Sequence, residues 1–347
     1  MICDPAFRHV VEAFREHVGG GGAALAVVAR GEPVVDVWHG TRDEAGRVSW
    51  ERDTAVNVFS VSKAVLATAA HVAVRDGLLD LDAPVRRYWP ELGIDTTTAD
   101  LLAHRSGLPA IREPLPPGSL HDWGAMTAAL AAERPWWEPG TRHGYHAVTF
   151  GWLVGEVLRR ATGREPRDLV ADLGVQLGWR GPGEPAFVLP PEPAAAPPVV
   201  PPLIAVRAFT NPSDLVVPNA VNGAAWRAAQ IPAANGHATA RALALLLGRL
   251  GGLLGRTALA EATAPRSEGH DEVLGGGTRF AAGYSLPNEL RPFAPNPRAF
   301  GHTGAGGALA FADPDLDVAV AFTPNRMVLT PSGPDPRWTA ITDALYR

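Results

Sequence analysis

Strand-like sequence occurs near both ends of this chain and is missing from its middle. The apolar runs are AALAVVAR (23–30), PVVDVWHG (33–40), TRFAAGYSL (278–286), GALAFAD (307–313) and LDVAVAFTPN (316–325). From about 80 to 235 the pattern changes to short helical segments and proline-rich connections. Strands must pair to satisfy their backbone groups, and one sheet assembled from both ends of the chain is a simpler architecture than two domains in series. We therefore predict an α+β fold, in which an antiparallel sheet built from both termini is flanked by helices and carries a mostly helical inserted domain.

Chain length supports this division, because 347 residues exceed the usual size of one domain. We predict that 1–80 and 236–347 form the sheet domain, that 81–235 form the inserted domain, and that the active site lies between them. The segment LPPEPAAAPPVVPP (189–202) is too rich in proline for a regular helix or a central strand. Two interpretations of this segment remain: an interdomain linker, and a loop or lid beside a pocket.

Composition excludes several classes of function. The net charge of −5, without basic runs, argues against nucleic acid as a partner. No window has the roughly 20 consecutive apolar residues of a membrane span, and the N-terminus lacks the apolar core of a signal peptide. The single cysteine, Cys3, rules out an internal disulfide framework. We expect a cytoplasmic protein that acts on small molecules, of unknown oligomeric state.

The stretch FSVSKAV (59–65) contains Lys63, the only lysine among 31 basic residues. Arginine keeps its charge in any protein environment, whereas a buried lysine can lose its proton and act as a base. A helix is predicted over 60–76, and its period places Ser60 and Lys63 on one face, one turn apart. A base at that distance activates a serine hydroxyl, and the helix N-terminus favours a developing oxyanion. Ser62 points to another side of the helix.

Three further blocks follow FSVSK (59–63) along the chain: LLAHRSGLP (101–109), PGTRHGYHAVTFGWLVGEVLRRATG (139–163) and GHTGAGGALAFADP (301–314). In their order and spacing the four blocks resemble the serine hydrolases related to class C β-lactamases and DD-peptidases, which share the penicillin-binding-protein fold. Within that group the chain is similar to the carboxylesterases called family VIII. The likeness covers nearly the whole chain.

The resemblance implies catalytic roles. Ser60 would be the acylated nucleophile and Lys63 its proton acceptor. Tyr145 would be a phenolate held near the lysine, which relays protons to the leaving group and later activates the deacylating water. The backbone N–H groups of Ser60 and Ala305 would form the oxyanion hole. A phenol with a pKa near 10 needs cationic neighbours to act as a base, and Lys63 and His302 are the two candidates.

The resemblance also implies substrate contacts. His302, Thr303 and Gly304 occupy the place of the Lys-Thr-Gly triplet on the strand that flanks the active site. Of the tryptophans near Tyr145, Trp152 is assigned to the wall of the acyl pocket, with packing in the core as the alternative reading.

Two departures from the family pattern bear on the substrate. Position 147 is Ala where β-lactamases carry Asn, and position 302 is His where they carry Lys, which disfavours β-lactams and cell-wall peptides. We predict a serine hydrolase that acts on small-molecule esters through an acyl-serine intermediate. A transacylase that passes the acyl group to an alcohol or amine is the alternative; a β-lactamase or D-amino peptidase is less favoured, and a non-catalytic binding protein least. Motifs for zinc, phosphate or dinucleotides are absent, so neither a metal nor a cofactor is expected.

Overall fold

Eleven strands are found in the computed structural model, which describes residues 1–192, 201–330 and 334–347. In chain order they are β1 (Ile2–Cys3), β2 (Gly22–Ala29), β3 (Glu32–Gly40), β4 (Val56–Asn57), β5 (Gln176–Leu177), β6 (Gly236–Ala238), β7 (Ser267–His270), β8 (Gly277–Phe280), β9 (Phe300–Thr303), β10 (Leu309–Asp313) and β11 (Val318–Pro324). Six of them form one antiparallel sheet in the order β1-β3-β2-β11-β10-β9. The predicted sheet from both ends of the chain is thus confirmed.

The α-helices of the described residues lie on both faces of this sheet and in the middle of the chain. They are α1 (Arg8–His17), α2 (Val61–Arg75), α3 (Thr98–Leu102), α4 (Trp123–Ala132), α5 (Thr149–Thr162), α6 (Pro166–Ala171), α7 (Leu203–Thr210), α8 (Ala224–Ala228), α9 (Ala240–Gly248), α10 (Leu250–Leu254), α11 (Arg256–Thr263) and α12 (Pro336–Leu345). Among them, no helix has both the length and the apolar character that crossing a membrane requires. The division into two domains stays a prediction, and residues 193–200 of the proline-rich segment lie outside the described residues.

Strand β2 explains how the sheet is covered on both sides. Successive side chains of a strand point to opposite faces, and in β2 both faces are buried. Leu25 and Val27 lie in the core beneath α1 and α12, whereas Ala26 and Val28 lie in the larger core that contains α2 and α9. Small residues on the second face allow a close approach, and Gly248 of α9 packs directly on Val28. A central strand that is apolar on both faces requires this three-layer arrangement.

Helix α2 is the central helix of the larger core. Most of its residues are buried, which agrees with the nearly continuous apolar sequence after Ser62. It ends where Gly77 adopts a positive φ of 72°, the left-handed conformation that stops helices. The predicted helix over 60–76 is confirmed, and it starts at the edge of the small sheet β4-β6-β5.

The predicted strand TRFAAGYSL is only partly formed. Strand β8 ends at Phe280, and the chain then turns, with Ala281 donating to the Tyr284 carbonyl. Gly283 has a φ of +90°, and a β-carbon at this position would collide with Ala67 of α2. The apolar pattern of this segment reflects burial against α2 rather than continuous pairing in the sheet.

Candidate active site

Ser60 lies at the N-terminal end of α2 and lines a cavity of about 490 Å³. The preceding residue, Phe59, has a φ of 48°, an uncommon conformation for a residue other than glycine. This tight turn leads from β4 into the helix and leaves Ser60 half-buried at the cavity wall. Tyr145 and the turn between β9 and β10 line the same cavity.

Lys63 is fully buried directly behind Ser60. Its Nζ lies 3.0 Å from Ser60 Oγ, 2.7 Å from the carbonyl oxygen of Ala147 and 3.0 Å from that of Ala233. Burial lowers the pKa of the Lys63 amine well below its ordinary value, because the charged form loses its hydration. The expected one-turn spacing therefore brings the amine within hydrogen-bond distance of the hydroxyl.

Tyr145 covers the Lys63 amine. The Nζ atom lies 4.8 Å from the centre of the phenol ring, and the Tyr145 backbone N–H donates to Asp271 Oδ1 at 3.0 Å. Burial raises the pKa of the Tyr145 phenol above its usual value, while a hydrogen bond with Ser60 and the positive charge of Arg291 oppose that rise. The phenol is therefore protonated at neutral pH, contrary to the expectation of a phenolate held by cations.

His302 is a buried neutral histidine, and this corrects its expected role as a cation. Burial is the main cause that lowers the pKa of His302 to about 3. Its Nδ1 lies 2.7 Å from the Thr303 carbonyl oxygen, so Nδ1 carries the proton and Nε2 is left as an acceptor. Because the imidazole is neutral, His302 does not provide the positive charge that a lysine at this position would provide.

Strand β9 brings the turn that follows it close to Ser60. In the sheet, His302 pairs with Ala310 and Thr303 with Leu309, so the turn between β9 and β10 starts directly after these pairs. Gly304 packs against the Val58 carbonyl so closely that a β-carbon would collide with it. The structure thus brings together Ser60, Thr303, Gly304 and Ala305 at one wall of the cavity, where the requirement for glycine has a steric cause.

Ser62, two residues from Ser60, has entirely different contacts. It is fully buried; its Oγ donates to the Phe59 carbonyl at 2.5 Å and accepts from the Gly236 N–H at 2.9 Å. It therefore ties the left-handed turn before Ser60 to strand β6, and it does not reach the cavity.

Trp152 is not part of the cavity wall. It is fully buried within α5 and belongs to the core around α2, and it is absent from the described residues that line the cavity. Its assignment to the acyl pocket is wrong. The residue is close to Tyr145 in sequence, but the helix turns its side chain into the core.

A group of buried histidines supports Tyr145 from behind. The His104 ring lies 5.2 Å from the Tyr145 ring, and His104 Nδ1 accepts the His146 backbone N–H at 3.1 Å. His146 Nε2 in turn accepts from Ser106 Oγ at 2.8 Å. Burial lowers the pKa of His146 to about 3, so these rings are neutral packing groups that fix the phenol.

Sequence reasoning missed two polar residues of the site. Asp271 is fully buried and accepts hydrogen bonds from the backbone of Tyr145 and from Thr278 Oγ1. Arg291 lines the cavity and is half-buried. Both lie in connections outside the four blocks that carry the resemblance, so no pattern marked them.

This arrangement has the groups that acyl transfer requires. A hydroxyl, an amine with a lowered pKa and a protonated phenol meet at one cavity, which is the set needed to activate a nucleophile and to protonate a leaving group. Among the described residues, no group of three His, Cys, Asp or Glu side chains is arranged to hold a metal ion.

Comparison with known proteins identifies the class. The Beta-lactamase family model matches residues 7–344. The esterase/beta-lactamase LipL of Mycobacterium tuberculosis (strain ATCC 25618 / H37Rv) is 36% identical over 363 residues, covering 94% of this chain and 82% of LipL. A solved family VIII carboxylesterase is 33% identical, with a TM-score of 0.90 over 100% of this chain and 98% of that one. A penicillin-binding protein homolog from Caulobacter crescentus is also 33% identical, with a TM-score of 0.89 and the same coverage.

The fold and the cavity thus define a serine hydrolase. More particularly, the chain belongs to the Beta-lactamase family, which confirms the resemblance seen in its sequence.

Proposed function

We propose that this enzyme cleaves esters of small molecules through an acyl-serine intermediate formed on Ser60. The observation that carries the proposal is the 3.0 Å distance between the fully buried Lys63 amine and the Ser60 hydroxyl. The names of the relatives, which include an esterase and a carboxylesterase, support an ester as the substrate.

Acylation begins with Lys63 as the base. A neutral amine has two N–H groups, which donate to the Ala147 and Ala233 carbonyls, and one lone pair, which accepts the Ser60 hydroxyl proton. As Ser60 Oγ bonds to the ester carbonyl carbon, that proton passes to Lys63. The negative charge on the former carbonyl oxygen is held by the backbone N–H groups of Ser60 and Ala305, aided by the positive end of the α2 dipole.

Tyr145 completes the acylation step as an acid. When the bond between the carbonyl carbon and the leaving oxygen breaks, the departing alkoxide takes the phenol proton. The phenolate then recovers a proton from the Lys63 ammonium, which returns both groups to their starting states. Deacylation uses water in place of the alcohol: Lys63 accepts the proton of water as it attacks the acyl carbon, and returns that proton to Ser60 Oγ as the acid leaves.

Position 147 supports esters rather than β-lactams. Its backbone carbonyl accepts from Lys63, while its methyl side chain has no amide to hold a substrate amide. An ester lacks that N–H group and loses nothing at an alanine.

The proposal is tested by incubating the protein with a p-nitrophenyl ester while nitrophenol release and intact mass are recorded. We expect continuous nitrophenol release by the wild type, and a mass increase of one acyl group that peptide mapping assigns to Ser60. Ser60→Ala should show neither, and Ser62→Ala, the matched control, should retain the adduct. Acylation of Ser60→Ala would contradict the proposal, and an adduct that clears only when an alcohol or amine is added would replace the hydrolase by a transacylase.

A further inference from the structure

Large apolar side chains are exposed around the mouth of the active-site cavity. Phe209, Leu274 and Leu329 are each more than a third exposed, and all three line the same cavity as Ser60 and Tyr145. We call these three residues the apolar rim. Removing apolar surface from water is favourable by roughly 25 cal/mol for every Å² that is covered. Binding of an apolar group over the rim is therefore favourable.

Helix α7, which carries Phe209, exposes three of its four large apolar residues. Its small residues, Ala205 and Ala208, are buried against a cluster that includes Ala147 and the partly buried Tyr145 ring. Of its large apolar residues, Ile204 is partly buried against the same cluster. Leu203 and Val206 are exposed, and with Phe209 they follow one side of the helix at intervals of three. A surface helix normally places its large apolar residues inward. The arrangement of α7 fits a helix whose outer face receives an apolar partner.

The position of the apolar rim next to the nucleophile indicates which apolar group binds there. The rim is continuous with the cavity wall beside the nucleophile, so an apolar group that covers it extends from the reacting carbonyl. The cavity of about 490 Å³ is also in the size range of small-molecule sites. The hydrocarbon part of the substrate is the apolar group that can reach from Ser60 to the rim.

We propose that the apolar rim binds the alkyl chain of the ester, and that the enzyme prefers medium-chain esters to acetates. This inference rests on the proposed function. The chain lies on Phe209, Leu274 and Leu329 while the carbonyl is at Ser60. The alkyl chain can belong to the acid or to the alcohol, because the rim surrounds the mouth of a single cavity.

The test compares chain lengths on both sides of the ester bond. The values of kcat/KM are measured for p-nitrophenyl acetate and octanoate and for ethyl and octyl acetate, all below the concentrations at which the esters aggregate. We expect the wild type to prefer the eight-carbon member of at least one pair. Phe209→Ser and Leu329→Ser should each lower the value for that ester by about tenfold, with less than a twofold change for its two-carbon counterpart.

A matched control is Leu316→Ser. Leu316 and Phe209 are both 46% exposed, and Leu316 lies in the turn between β10 and β11, away from the cavity lining. This variant should keep the wild-type preference, and its melting temperature provides the comparison for the rim variants.

The outcomes separate this inference from the proposed function. If the enzyme cleaves the two-carbon esters but neither pair shows a preference that depends on the rim, the inference is wrong and the proposed function stands. If no ester acylates Ser60, the proposed function fails first. A second series with octyl acetate above its aggregation concentration completes the test: a rate that rises abruptly only there would also overturn the inference, because the rim would then dock on a lipid surface.

Discussion

Ser60 and Ser62 are two residues apart on the same helical turn, yet their surroundings give them opposite properties. Ser60 lines the cavity, and its hydroxyl lies 3.0 Å from the Lys63 amine. Ser62 is fully buried, and its hydroxyl is engaged by the Phe59 carbonyl and the Gly236 N–H. The proposed mechanism attributes the difference in reactivity to what faces each hydroxyl. Ser60 faces an amine that can take its proton, whereas Ser62 faces a backbone carbonyl that cannot.

The most severe way to break this difference is to remove the base. Lys63→Arg keeps a cation but removes the proton acceptor, so we expect acylation of Ser60 to fall by about 10⁴ to 10⁶. Stopped-flow measurement of nitrophenol release checks this. Because a buried guanidinium can disturb the fold, Lys63→Met provides a second variant, and circular dichroism should show both folded. Acylation at a near wild-type rate in either variant would exclude Lys63 as the base.

Tyr145→Phe should produce the next largest effect, on the Ser60 side only. The ring and its packing are retained while the phenol proton is lost, so kcat/KM for alkyl esters should fall by about 10² to 10⁴. The loss should be smaller for a p-nitrophenyl ester, because nitrophenolate departs without a proton. Equal losses for the two ester types would argue against proton donation by Tyr145.

Ser62→Ala tests the structural side of the comparison. It leaves the buried Gly236 N–H without its acceptor, which should lower the free energy of unfolding by about 1 to 3 kcal/mol. Acylation of Ser60 should change far less than in the two variants above. Urea unfolding measures the first quantity and the nitrophenol assay the second, and a loss of acylation as large as that of Lys63→Arg would make Ser62 part of the catalytic chemistry.

Per pH unit, the smallest expected effect is the loss of stability caused by protonation of His302, which lines the cavity beside Ser60. The pKa of His302 is about 3 in the fold against 6.5 for the free side chain, so the unfolded chain binds the extra proton. The free energy of unfolding should therefore decrease as pH falls from 6.5 towards 3, by about 1.4 kcal/mol per pH unit for each such histidine. Urea midpoints at several pH values should show a shallower slope for His302→Asn, whereas Ser62→Ala should keep the wild-type slope.

The features of this molecule that depend on local periodicity could be predicted from the sequence. A predicted helix is enough to place Ser60 one turn from Lys63. The apolar runs at both ends of the chain are enough to predict a shared sheet. Tyr145 required the family resemblance, because no local pattern links it to residues more than 80 positions earlier.

The errors arose where burial or side-chain direction decides. His302 was expected to be a cation, but desolvation decides its charge. Trp152 was assigned to the pocket from its nearness to Tyr145 in sequence, although the direction of its side chain depends on how α5 packs. Arg291 and the apolar rim lie on connections and on a short helix whose position only the whole fold determines.

The pairing of β2 with β11 has a consequence for how the protein is made. Strand β2 is synthesised early, but its partner emerges almost 300 residues later. At about 5 to 20 residues per second, the ribosome takes roughly 15 to 60 s to produce that partner. Throughout this interval the apolar stretch GAALAVVA is without its native neighbour on one edge, which is a hazard for aggregation. The two-ended sheet therefore makes the newly made chain dependent on protection until its last strands leave the ribosome.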